Sequence, residues 1–236
     1  LTVCAGKTTS INATGASTYA WNTNQTGSMI TINPTITTTY SLIGLDNNGC
    51  SNSVTVTQSV ISNPIVNITS SNPTMCVGKT TTLTASGASS YTWNTNHTTT
   101  QVTISPTTTT NYSVVGADNN GCFNTAVFTQ SLISNPIITL SSSTPTSCSG
   151  TPILIIANGA SSYSWSTSQT STQIVVSPTT TTTYSITGFN TNGCSHTANI
   201  TQAVISNPTV IISLSSPCLF SGQNASVTVN GADSYT

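Results

Sequence analysis

Seven cysteines are the residues of this chain whose type and spacing promise chemistry most directly. Cys4, Cys76 and Cys148 recur every 72 residues, and Cys218 follows 70 later. Cys50, Cys122 and Cys194 form a second series, also at 72. Thiols in such a series either hold a metal or join in disulfides. Structural zinc asks for closely paired Cys and His ligands. The chain has no CxxC, and His97 and His196 fall at different places in the repeat, so no metal site is expected. Oxidation to disulfides is the chemistry that remains. Within each repeat the two cysteines stand 46 residues apart, which predicts Cys4–Cys50, Cys76–Cys122 and Cys148–Cys194. Cys218 then awaits a partner beyond Thr236. Closing a loop of that length removes unfolded-state entropy worth about 4 kcal/mol in the chain-entropy model.

The other reactive side chains are few. Asp46, Asp118 and Asp233 are the acids, Lys7 and Lys79 the bases. General acid–base work needs two carboxylates close together, and each repeat offers at most one. Asp46 and Asp118 share one position, in DNNGC, where the third repeat carries Asn190; an Asx turn is the expected role. A calcium site would want more oxygen ligands than that. Serines abound without a GxSxG context or a paired base. No catalytic residue and no cofactor are predicted, and the chain is expected not to be an enzyme.

Trp21, Trp93 and Trp165 repeat at 72, each preceded two positions earlier by Tyr19, Tyr91 or Tyr163. Residues at i and i+2 share one face of a strand. An exposed pair of this kind would stack on sugar rings; a buried one packs in a core. Both readings stand at this stage.

The elements that hold these residues are strands. In the second repeat Ile65–Ser70, Thr80–Ser86, Ser90–Asn94, Gln101–Ser105, the segment from Tyr112 and Ala126–Ile133 carry a period of two or an extended character. Threonine, valine and isoleucine suit a pleated surface. Gly-Ala, Asn-Pro, Ser-Pro and Asn-Asn-Gly fall where turns are needed. No apolar stripe runs at helical spacing. The fold class predicted is all-β: a tandem array of small Ig-like β-sandwich domains of about 72 residues. The order Cys, Trp, Cys agrees with such a sandwich. Domain boundaries follow from the recurring ISNP: repeat 1 at 1–62 without its first strand, repeat 2 at 63–134, repeat 3 at 135–206, and the start of repeat 4 at 207–236. The chain reads as a window onto a longer array. Its short, proline-containing linkers predict an end-to-end rod in which each domain touches its neighbours.

Composition excludes several partners. Two Lys and no Arg cannot neutralise a nucleic-acid backbone, so no nucleic acid is expected. No run of about 18 apolar residues is present, so this segment is not expected to insert in a membrane. Charged residues are 2% of the chain. With so little repulsion, lateral self-association is a further expected contact.

The unit C-x-G…GASSYxW…SPTTTTxYS…NGC…ISNP resembles the Ig-like and PKD-like tandem repeats of giant Bacteroidetes cell-surface adhesins, in particular gliding-motility adhesins of the SprB type. The likeness covers every repeat. It implies type IX secretion, an extracellular position on the outer surface of the bacterial outer membrane, and a part in cell adhesion or gliding. The expected function is a structural stalk in a surface adhesin or filament. An array of glycan-binding modules touching surface polysaccharide through the Tyr–Trp pairs, and a spacer in a secreted enzyme, are the alternatives.

Overall fold

The computed structural model describes residues 2–215, 221 and 224–234, and no helix occurs among them. The chain divides into two compact units, Leu1–Leu132 and Ile133–Thr236.

The first repeat contributes β1 (Thr2–Cys4), β2 (Thr9–Asn12), β3 (Thr18–Trp21), β4 (Met29–Ile32), β5 (Thr38–Leu45) and β6 (Ser51–Ile61). The second adds β7 (Asn67–Ser70), β8 (Thr74–Cys76), β9 (Thr81–Ser86), β10 (Ser90–Trp93), β11 (Gln101–Ile104), β12 (Thr110–Ala117) and β13 (Phe123–Ile133). The third repeats that series as β14 (Thr139–Ser142), β15 (Thr146–Cys148), β16 (Ile153–Asn158), β17 (Ser162–Trp165), β18 (Gln173–Val176), β19 (Thr182–Phe189) and β20 (Ser195–Ile205). The described part of the fourth has β21 (Ile211–Leu214) and β22 (Val227–Asn230).

The second repeat shows the architecture completely. One sheet runs β7-β9-β11 and the other β8-β13-β12-β10. The third repeat reproduces both orders with β14-β16-β18 and β15-β20-β19-β17. From β7 to β12 successive strands are thus dealt alternately to two sheets, and β13 returns as a hairpin beside β12, in the manner of an immunoglobulin-like sandwich. The inner faces alternate as the pleat requires: along β9, Thr81, Leu83 and Ala85 are buried, with Thr82 and Thr84 between them less so. Leu83, Trp93 and Val114 form the centre of the core of this repeat, with Ile155, Trp165 and Ile186 their counterparts in the next.

Gly87 of the second repeat and Gly159 of the third each lie against the backbone of the segment that enters the repeat. The φ of Gly87 is +94°, and a Cβ there would lie 1.8 Å from the carbonyl oxygen of Ile65. Only glycine lets the chain entering the repeat pass so close to this turn.

One strand of each complete repeat is absent from the sequence-based expectation. β8 has three residues, too few for a period to show. Its first-repeat counterpart β1 runs parallel to β6, with Thr2 opposite Ser59 and Cys4 opposite Ile61. β15 does the same beside β20, with Cys148 opposite Ile205. These short strands carry the first cysteine series to the far end of the last strand of their own repeat.

Candidate functional site: the cysteine junction

That placement overturns the pairing expected from spacing. Cys50 immediately precedes β6, whereas Cys4 lies beside the final residue of the same strand. At roughly 3.3 Å per residue the two are separated by the length of an 11-residue strand, on the order of 35 Å. A disulfide tolerates a Cα separation of about 4.4–6.8 Å. The two cysteines of one repeat therefore sit at opposite poles, and Cys4–Cys50 cannot form.

Cys4 is bonded instead to Cys122, 118 residues away, with a Cα–Cα distance of 5.4 Å. The bridge joins the outgoing pole of the first repeat to the incoming pole of the second. Cys76 and Cys194 are disulfide-bonded as well, which rules out Cys76–Cys122 and Cys148–Cys194 along with the first pair. Cys50 and Cys148 are free, exposed thiols. Cys218 lies outside the described residues.

Backbone and side-chain hydrogen bonds fix both ends of the bridge. On the Cys4 side, the Ala5 amide donates to the Ile61 carbonyl at 2.9 Å and the Lys7 amide to the Cys4 carbonyl at 3.0 Å. Asn63 of the first ISNP donates through Nδ2 to the Ala5 carbonyl at 3.1 Å. Asn207 makes the equivalent bond to Ser149, also at 3.1 Å. On the Cys122 side, Oδ1 of Asp118 accepts from the amides of Asn120 and Cys122, at 2.8 and 2.9 Å. Cys122 itself is fully buried. A cleft lined by Cys4, Lys7, Asn63, Gly121 and Phe123 flanks the bond.

The Asx turn recurs before each cysteine of the second series. Asp46 Oδ1 accepts from Asn48 and Cys50, and Asn190 Oδ1 from Asn192 and Cys194. Those amides, Cys50 first and Asn48 next, hold the Asp46 carboxyl below its ordinary value of 3.8. The acids are turn-formers, spread one to a repeat. Among the described residues no three His, Cys, Asp or Glu gather as metal ligands would. His97 is exposed, its Nδ1 3.0 Å from Thr95 Oγ1.

The Tyr–Trp pairs lie inside. Trp21, Trp93 and Trp165 are buried, and Trp93 is only 1% exposed. Each indole Nε1 donates to a carbonyl six residues on: Gly27 at 3.0 Å, Thr99 at 2.9 Å and Ser171 at 2.8 Å. Tyr91 and Tyr163 are buried and Tyr19 half-buried, and their hydroxyls accept from the amides of Ala88, Ala160 and Ala16. Trp93 and Trp165 pack within the cores of their repeats, and Trp21, also buried, contributes to the first core and to the wall of a cleft with Ile11, Leu42 and Val54. Three residues of consequence escaped the sequence reading, the buried Gln58, Gln130 and Gln202. The signal was present, as a Thr-Gln recurring every 72 residues.

Comparison with protein families finds none that matches the chain, and no curated protein matches it either. Among solved structures, the N-terminal eight Ig domains of Down Syndrome Cell Adhesion Molecule are similar at 11% identity and a TM-score of 0.35, covering 90% of this chain and 35% of that one. The chain thus spans about a third of that structure. A 1.5-MDa bacterial ice-binding adhesin is similar at 12% identity and TM-score 0.30, covering 87% of this chain and 94% of that one. A Bacteroides ovatus SGBP-B in complex with a mixed-linkage heptasaccharide gives 16% identity and TM-score 0.23, covering 89% of this chain and 66% of that one. At these scores the fold assignment rests on the strand orders themselves.

Proposed function

We propose that this chain is a spacer segment of repeated Ig-like domains in a large extracellular adhesin or surface filament of a bacterium, of the gliding-motility kind, exported by the type IX route. The observation that carries the reading is the use made of the distinctive residues. Tryptophan, tyrosine, aspartate and glutamine, each recurring with the repeat, are spent on cores and turns, and four of the cysteines on bridges. Among the described residues, the recurring reactive groups left facing solvent are the free thiols of Cys50 and Cys148, and no set of metal ligands gathers beside them. Disulfides persist in oxidising surroundings, which supports an extracellular place. The repeats themselves do not act on a substrate in this reading; they hold another region of the protein away from the cell. Neighbouring repeats are their partners, with lateral contact between chains favoured by low charge.

The test is tryptophan emission of the oxidised chain titrated with soluble polysaccharides and an aqueous quencher. Blue, quencher-resistant emission that no polysaccharide alters is the expected result. A saturable shift with a polysaccharide would replace the spacer by a glycan-binding array.

A further inference from the structure

In a string of domains joined only by linkers, a pull on the ends passes through every residue, and each small domain is exposed to it. The first two repeats are not joined in that way. The covalent path from Thr2 runs through Val3 to Cys4, across the bond to Cys122, and out along β13 from Phe123. Taken with that bond alone, residues 5–121 lie on a side loop. Cys76 within it is itself disulfide-bonded, and with Cys50 free its partner lies outside the loop. Residues 76–121 are thereby tied into the covalent path again, and the segment spared is 5–75. The spared segment contains the linker, β2 to β7, and the core built on Trp21.

We propose that the Cys4–Cys122 bridge is a tension shunt, which carries pull from β1 directly to the start of β13 and keeps the body of the first repeat and the linker after it from being stretched. This rests on the reading of the chain as a segment of a surface array, and it adds a mechanical function to it. Three features of the junction suit the role. The bond is anchored at the ends of strands and not in a free loop, since Cys4 closes β1 beside Ile61. Its second half is buried and held by the Asp118 turn, where it is shielded from reductant. β13 is 11 residues long and pairs with β12 from Phe123 to Gln130, so the strand that receives the pull is tied to its neighbour along most of its length. An intra-repeat bond of the spacing-based kind would have shielded only part of one domain and left the linker in the path.

The experiment is single-molecule extension of the full 236-residue chain from its two ends, with serine at Cys50, Cys76, Cys148, Cys194 and Cys218 so that the one bridge acts alone. Reduction, or Cys4→Ser with Cys122→Ser, is expected to add roughly 400 Å of releasable length, the extended span of the side loop. Equal total lengths with and without reductant would overturn the proposal. Should the serine variant not fold, peptide mapping of the oxidised, unsubstituted chain decides: a peptide joining Cys4 to Cys122 is expected, and one joining Cys4 to Cys50 overturns the shunt. Neither readout depends on polysaccharide binding, so the spacer reading and the shunt fail separately.

Discussion

Trp93 Nε1 donates to the carbonyl oxygen of Thr99 at 2.9 Å from within a side chain that is 1% exposed. The bond ties the strand β10 to the loop that precedes β11, and the ring fills the centre of the second core. Trp93→Phe removes the donor and part of the ring. The Thr99 carbonyl loses its partner and a gap opens, together costing about 1–3 kcal/mol. Urea unfolding of the oxidised chain should show that loss, and an unchanged midpoint would contradict the assignment.

Gln130 is fully buried at the junction of both sheets. Its Nε2 donates to the carbonyls of Asn72 and Pro73 at 2.8 and 3.0 Å, and its Oε1 accepts from Ser70 Oγ at 3.0 Å. Gln130→Leu keeps the bulk and orphans these groups, at a cost of about 1–3 kcal/mol despite the gain in hydrophobicity. Denaturant titration measures it. A stabilised variant would mean that the carbonyls find water.

Gly87→Ala places a methyl group against the Ile65 carbonyl in a backbone conformation that alanine adopts poorly. The φ penalty alone is about 1–3 kcal/mol, and the segment leading into β7 must shift besides. Gly121→Ala, at φ +78° with open space around it, is the control. The control should lose clearly less stability in a thermal melt than Gly87→Ala.

Asp46 has a carboxyl whose folded pKa is lowered by the Cys50 and Asn48 amides. A lowered pKa adds stability that is complete above the unfolded value and is lost as pH falls through the folded one. Melting temperature is therefore expected to fall below about pH 4 with a contribution that Asp46→Asn abolishes. The asparagine should keep the turn, because Asn190 already builds it in the third repeat. An acid limb identical in the variant would assign the dependence to other groups.

The alternation of Thr, Val and Ile made most strands legible, because a half-buried pleat writes its period into the sequence. β9 and β11 lie within a residue of where the pattern places them, at Thr81–Ser86 and Gln101–Ile104. β13 begins at Phe123, three residues earlier than expected, because its first residues pair with β12 while facing solvent. The three-residue β8 carries no readable period, and with it went the information that decides the disulfides. Sequence spacing says how far apart two cysteines are along the chain. It does not say at which end of a parallel neighbour a short strand finishes, and Cys4 beside Ile61 is a fact of that kind. The glutamines were missed for a related reason: a polar residue in a strand reads as an outward position until its partners are known.

The two lysines are the only places where a trypsin-like protease can cut, and both Lys7 and Lys79 fall between Cys4 and Cys122. Cleavage at either leaves the chain in one covalent piece. If both are cut, the leading heptapeptide is still held through Cys4, and the segment between the cuts carries Cys76, which is itself disulfide-bonded. With no glutamate, acid-specific proteases find only Asp46, Asp118 and Asp233. Against proteases of these two specificities the chain offers five sites, and a nick at either lysine leaves its pieces covalently joined.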